Sequence, residues 1–376
     1  MNSQRTPSAT RTRHIAHPCP TSIKQDRFIP KASTPCGLTA SPVPLLSQDT
    51  RQSLAPKDCE GSLTLMKVMD APNVKNDYHL SLMGWSDTDV LEVALGTSLH
   101  LYSVQTGQTV EIAGQQVLSA VASQAGGAQV AVGSERACLF LYDLETCKQV
   151  RSLTTHKDRV ATLLWQGSLL LSGSRDCTIH ICDTRTKARG TKLRSHTAEV
   201  CSLALNHLNS SELASGGNDN RVLLWDLRVH KTRAEGEHRA CVKALVWSPW
   251  KADRLTSGAG YADRGIKEWT TSSSLTCVQE VDSGAQVSAF LWDRWDRRLI
   301  SGHGYPGCQM ALWQGSTKTE EHYHGGRVLS LAQGPLGDTV ASLCSDETLH
   351  LWKLSSMSSS EEDSLSAHSR RYVQAR

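Results

Sequence analysis

The feature that most restricts the fold is a repeat. Seven short β-like runs end at comparable positions: LHLYSV at Tyr102, LFLYDL at Tyr142, IHICDT at Cys182, VLLWDL at Trp225, IKEWTT at Trp269, MALWQG at Trp313 and LHLWKL at Trp352. The steps between those positions are 40, 40, 43, 44, 44 and 39 residues. A unit of this size cannot bury its apolar face alone, so neighbouring units must stack to make a core. A period of roughly 40–45 residues with Trp-Asp-like endings matches blades of four strands arranged around a central channel. A small-residue turn precedes each run: VALGTS, VAVGSE, LLSGSRDC, LASGGNDN, LTSGAGYADR, LISGHGYPGC and VASLCSDET. A histidine opens several repeats further upstream, at His156, His196, His238 and His324. Apolar/polar alternation between these marks supplies the other strands. The fold expected is all-β, a seven-bladed β-propeller.

These are the marks of WD40 blades, and they settle how the histidines should be read. His196, Ser215, Asp219 and Trp225 fall at the spacing of a hydrogen-bonded His-Ser-Asp-Trp tetrad. His156-Ser172-Asp176, His238-Ser257-Asp263-Trp269 and His324-Ser342-Asp346-Trp352 repeat it. One such set would suggest a hydrolase triad. Several copies, one per blade, point instead to satisfaction of buried polar groups. No P-loop, zinc-protease helix or nucleophile elbow is present. The expected class is therefore an interaction module and not an enzyme, with loops on a rigid scaffold reading peptides.

Composition adds limits. The 376 residues are 39% hydrophobic and 20% charged, with a net charge of +3, as for an ordinary globular protein. No run approaches the roughly eighteen apolar residues of a membrane span. The twelve cysteines are scattered and none forms a Cys-x-x-Cys pair, which predicts reduced thiols rather than a metal or disulfide framework. The N-terminus MNSQRTPSATRTRHIAHPCP lacks the apolar core of a signal peptide. It is Arg- and Ser/Thr-bearing, as mitochondrial presequences are, but its prolines oppose the amphipathic helix these need. Residues 1–60 carry eight Lys/Arg against four acids and no sustained period, which predicts a disordered basic arm. The division expected is an arm over 1–66, a propeller over 67–354 and a flexible tail over 355–376. Thr6-Pro7, Thr34-Pro35 and Ser41-Pro42 are minimal proline-directed phosphorylation sites.

The repeats carry more than generic spacing. KVMDAPNVKNDYHLSLMGWSDTDVLEVALGTSLHLYSVQTGQ resembles the first blade of the fizzy family, the cell-division-cycle activators of the anaphase-promoting complex. The resemblance continues through LASGGNDNRVLLWD, ACVKALVWSPW, SGAGYADRGIKEW, VDSGAQVSAFLWD, LISGHGYPGCQMALW and RVLSLAQGPLGDTVASLCSDETLHLWKL, covering all seven blades in order. SGHG, RVLSL and TVAS resemble the fizzy branch more than the fizzy-related branch, and the chain diverges from both.

The resemblance implies an adaptor without cofactor or metal, working in cytoplasm and nucleus. Its partners would be ligase subunits, degron-bearing cell-cycle substrates and spindle-checkpoint proteins, with no nucleic acid and no membrane. The family's arm docks on the ligase through Asp-Arg-Phe/Tyr-Ile-Pro-x-Arg; Asp26, Arg27, Phe28, Ile29, Pro30 and Lys31 fit six positions, and Ala32 replaces the last Arg. Arg27 suits bidentate contacts to acids, Phe28 and Ile29 suit apolar pockets, and Pro30 limits the entropy lost on ordering. The family's second anchor is a C-terminal Ile-Arg; here Arg376 remains and Ala375 has replaced the aliphatic residue. Asn218, Asn220, Gln286 and Arg327 match the positions that hold a Lys-Glu-Asn degron, with Arg327 paired to its Glu. Tyr261 stands where the family has a small Thr, and would narrow that pocket. For the Arg-x-x-Leu destruction box, Glu347 survives, but the acid before the first-blade Trp85 has become Gly84. Asp87 and Asp89 would compensate only if their loop turned inward. Two functions stay open: an activating adaptor, or a scaffold or inhibitor that has lost part of ligase activation.

Overall fold

The computed structural model describes residues 26–27, 63–186, 190–293 and 295–355. Every regular element among them is a β-strand, and the strands form seven sheets. Blades 1 to 6 are consecutive four-stranded antiparallel meanders. Blade 1 runs from Met83–Trp85 to Thr109–Ala113, and blade 6 from Val287–Trp292 to Thr317–Tyr323. Blade 7 is closed differently. Its three strands Val328–Gln333, Thr339–Cys344 and Thr348–Leu354 take Leu63–Asp70 as their fourth, antiparallel to Thr348–Leu354 with Met69 opposite Leu349. The early strand thus latches the ring at its last blade. Asp26–Arg27 adds a short parallel strand beyond it, with Asp26 opposite Met69 and Arg27 opposite Asp70.

Burial explains which residues each strand uses. In blade 4, Val222, Leu223, Leu224 and Trp225 on the third strand are all buried, because blades stack face to face and cover both sides. The outer strand Lys148–Thr154 of blade 2 is mostly exposed and alternates, because only one side is covered. The glycine of the small-residue turn also has a packing cause. A Cβ on Gly173 would lie 2.8 Å from Val200 Cγ1, and one on Gly258 2.5 Å from Val287 Cγ1, so the next blade's first valine occupies that space. The register shifts at the start of the inner strand in blades 2 to 7, as between Val200 and Ser202. Such a bulge re-aims the residues at the mouth of the channel.

The tetrads form as the spacing predicts in blades 4 and 5. His196 Nε2 lies 2.7 Å from Ser215 Oγ, Nδ1 lies 3.0 Å from both Asp219 oxygens, and Trp225 Nε1 donates to Ser215 Oγ at 2.8 Å. His238, Ser257, Asp263 and Trp269 repeat this at 2.7, 3.1 and 2.6 Å. Blade 3 makes the His156-Ser172-Asp176 part and has Cys182 in place of the Trp. Blade 7 departs from expectation. His324 reaches Ser342 at 3.0 Å and Trp352 donates to it at 2.9 Å, but Asp346 accepts from Thr348 Oγ1 at 2.6 Å instead of meeting the ring. His324 stacks on His350, 4.6 Å between centroids. Blade 6 draws its histidine from the second strand, His303 Nε2 lying 2.6 Å from Ser301 Oγ. Ser215, Ser257, Ser301 and Ser342 are all fully buried, and their hydroxyls are used inside the blades.

Candidate functional site

In an antiparallel blade the loops entering the inner strands and the turns joining second to third strands share one rim. All five propeller residues expected to read degrons stand on that rim, but their contacts gather only some of them. Gln286 lies on the loop into blade 6, where its carbonyl accepts from Gly304 N at 2.7 Å and its N donates to Tyr305 O at 3.1 Å. Arg327 lies on the loop into blade 7. Its Nη2 donates to Asn76 O at 2.8 Å, its Nε donates to Asn76 Oδ1, and its guanidinium sits over Tyr305, 6.0 Å from the centroid. A Cβ on Gly304 would fall 2.6 Å from Gln286 Oε1 and 3.5 Å from Arg327 Cβ, so Gln286 and Arg327 both close on Gly304. The sequence reading missed Asn76 and Tyr305 as the partners that hold Arg327.

Asn218 and Asn220 stand on blade 4, in the turn after Glu212–Gly217. Asn218 is exposed, and its backbone N donates to Glu199 O at 2.8 Å. Asn220 has φ 66° and its carbonyl accepts from His238 N at 2.9 Å, so it shapes the turn as well as standing on the rim. Blade 5 separates them from Gln286, and Tyr261 projects from its turn, 65% exposed.

Glu347, exposed with φ 64°, faces the loop that leads from blade 7 into blade 1. Its Oε1 accepts from Asn73 N at 3.2 Å, and its carbonyl from Ala71 N at 2.7 Å. At the far end of blade 1's inner strand, on the side facing blade 2, the structure explains Gly84. A Cβ there would lie 2.8 Å from Glu92 Oε2, so the Glu92 carboxyl occupies the space a side chain would need. Glu92 is fully buried, bonded to Ser123 Oγ, and burial raises its pKa to about 8. An acid is therefore present, but held neutral and inside. Asp87 and Asp89 do not turn into the cleft: Asp87 accepts from Gly126 N at 2.5 Å and Asp89 from Trp85 Nε1 at 3.0 Å.

The loop over residues 71–82 crosses the mouth of the channel and bonds to blades 3, 5 and 6. Tyr78 Oη donates to Val287 O on blade 6 at 2.7 Å. Arg159 from blade 3 donates to Asp77 at 2.6 Å and forks onto Glu199 at 2.7 and 2.8 Å. Burial pushes the Asp77 carboxyl up, yet bonds from His79 and Arg159 outweigh it and hold the pKa well below the usual range. Lys243, buried on blade 5, donates to His79 O at 3.1 Å, Ser81 Oγ at 2.7 Å and Cys201 O at 3.0 Å; burial lowers its pKa to about 8. The same loop brings His79 against Cys201 and Cys241, whose sulfurs are 3.6 Å apart. No Cys-x-x-Cys spacing announces that cluster. The one available signal was that Cys241 follows Cys201 by 40 residues, one blade period.

Of the docking residues, Asp26 and Arg27 form the edge strand described above. Phe28, Ile29, Pro30, Lys31, Ala32, Ala375 and Arg376 lie outside the described residues.

Comparison with known proteins agrees with this architecture. The model for the CDC20/Fizzy WD40 domain matches residues 69–352. Meiotic fizzy-related protein 1 of Schizosaccharomyces pombe is 35% identical over 339 residues, which is 86% of this chain and 79% of that protein. Cell division cycle 20.1, cofactor of APC complex, of Arabidopsis thaliana is 36% identical over 77% of this chain and 67% of its own length. The APC/C activator protein CDH1 of Saccharomyces cerevisiae is 38% identical over 77% of this chain, which spans 52% of its length. Both branches thus stand at similar identity. Among solved structures, a chain of a crystallised mitotic checkpoint complex superposes with a TM-score of 0.75 at 32% identity, covering 83% of this chain and 98% of that one.

Proposed function

The chain belongs to the CDC20/Fizzy family of WD40 proteins, and on that premise we propose that it is an activating adaptor of the anaphase-promoting complex that carries degron-bearing substrates to the ligase. Relatives named as activators or cofactors of that complex support the role. The observation that carries the binding mode is Arg327, a cation on the rim whose orientation is fixed by Asn76 and Tyr305 beside Gln286. A pre-oriented guanidinium next to amides suits the carboxylate of a Lys-Glu-Asn motif. Glu347 would serve an Arg-x-x-Leu motif alone, because Glu92 is buried and neutral; such motifs are read weakly. Asp26, Arg27, Phe28, Ile29 and Pro30 dock the arm, with Arg376 as the second anchor. Checkpoint proteins are a further partner class, consistent with the solved relative. The role is binding and not catalysis, a reading supported by the burial of its serine-histidine sets in the blades. It works in cytoplasm and nucleus.

The test is copurification of the full chain with ligase subunits, and its loss in Arg27→Ala. No association of the wild-type chain with any subunit would refute the adaptor. A scaffold that no longer activates is the second reading, favoured by the exposed Tyr261 between the two halves of the pocket. Association without ubiquitin transfer would select it.

A further inference from the structure

We propose that His79, Cys201 and Cys241 bind a zinc ion that staples the crossing loop over the channel mouth. Three observations converge. One candidate ligand atom from each residue lies within 4.8 Å of the others, with both cysteines buried and His79 half-buried. The imidazole already has the outer partner that zinc-bound histidines use: Asp77 Oδ1 stands 3.1 Å from Nδ1, and Arg159 holds that carboxylate in turn. With Nδ1 so engaged, Nε2 is the nitrogen left for an ion. The two sulfurs, 3.6 Å apart and unbonded, are spaced to share a metal.

The donor set selects the ion. Two thiolates and one imidazole are soft to intermediate ligands, suited to zinc and unsuited to magnesium or calcium. Three protein ligands leave a fourth tetrahedral position for water. Two thiolates neutralise a divalent charge, so Lys243, whose Nζ donates to Cys201 O, faces a centre without net charge. The ligands come from the crossing loop, from the inner strand Val200–Leu205 of blade 4, and from the residue before the inner strand Val242–Trp247 of blade 5. Binding therefore ties blades 4 and 5 to the segment whose Asn76 holds Arg327. The inference does not depend on the adaptor role.

The experiment is titration of the reduced full chain with zinc against a chromophoric chelator, and with cobalt as a spectroscopic stand-in. The wild-type chain should take up one more tight equivalent than Cys241→Ala or His79→Gln, at an affinity at least about tenfold above theirs. Its cobalt form should show thiolate-to-cobalt charge-transfer absorption that both variants lose. Zinc should raise the melting temperature of the wild-type chain above its value in chelator and leave that of each variant at its own chelator value. Equal uptake by wild type and both variants would overturn the proposal. So would recovery of Cys201 and Cys241 as a disulfide from protein kept in reductant.

Discussion

Replacing Glu92 with Gln should remove a pH dependence of stability that the wild-type chain carries through this one carboxyl. Glu92 is fully buried; one oxygen meets Ser123 Oγ and the other has no partner. Burial lifts its pKa from 4.5 to about 8, and the Ser123 bond offsets only part of that. In the unfolded chain the proton leaves near the ordinary value, whereas the folded chain keeps it until the pH passes about 8. Between those values unfolding releases a proton, so stability falls as pH rises, by at most about 1.4 kcal/mol per pH unit. From about pH 5 to about pH 7.5 the loss sums to about 3 kcal/mol. The amide brings its own cost in a site with an unpartnered oxygen, but that cost is the same at both pH values and cancels in the comparison. Denaturant unfolding of both proteins at the two pH values reads the double difference. Glu92→Gln should gain about 3 kcal/mol relative to wild type on going to the higher pH. A gap between the two proteins that does not change with pH would refute the buried neutral acid, and with it the account of Gly84.

On the rim, Arg327→Ala and Asn218→Ala should each weaken a Lys-Glu-Asn peptide by about 1–3 kcal/mol in calorimetric titration, as lost bonds to charged or buried groups do. Unchanged curves would mean the residues do not read the motif. Tyr261→Thr should tighten the same peptide if the ring obstructs the passage from Asn218 to Gln286, and an unchanged or weaker affinity would show that it does not. In the blades, Asp219→Ala should lower stability by about 1–2 kcal/mol more than Asp346→Ala, because Asp219 holds His196 whereas Asp346 holds only its own turn. Equal losses in thermal unfolding would contradict that difference. Tyr78→Phe, which removes the bond to the Val287 carbonyl, should cost about 1–2 kcal/mol by the same assay, and no loss would contradict a stabilising tie between the 71–82 loop and blade 6.

The fold was legible because its signal is periodic. One residue per blade, from Tyr102 to Trp352, marks the third strand, and in blades 2 to 6 the glycine before it marks where the next blade's valine packs. The tetrads followed from spacing in blades 4 and 5. Blade 7 defeated the same rule at its acid: Asp176 in blade 3 accepts from Thr178 and still meets His156, whereas Asp346 accepts from Thr348 and His324 stacks on His350, a ring contact that spacing does not announce. The rim was legible only as separate positions. Arg327 is held by Asn76, 251 residues away in sequence, and Glu92 fills a space opposite Gly84 that only strand pairing reveals. The His79 cluster draws on three parts of the ring, so no local motif could announce it.

The central claim is that this chain delivers substrate to an active ligase. The direct measurement is ubiquitination of a Lys-Glu-Asn-bearing substrate by the purified anaphase-promoting complex, with the wild-type chain, Arg27→Ala or Arg327→Ala as the only activator present. The account predicts polyubiquitin chains with the wild type, none above background with Arg27→Ala, and a marked loss with Arg327→Ala that higher substrate concentration restores. Association of the wild-type chain with the ligase but no ubiquitin transfer, at any substrate concentration, would contradict it.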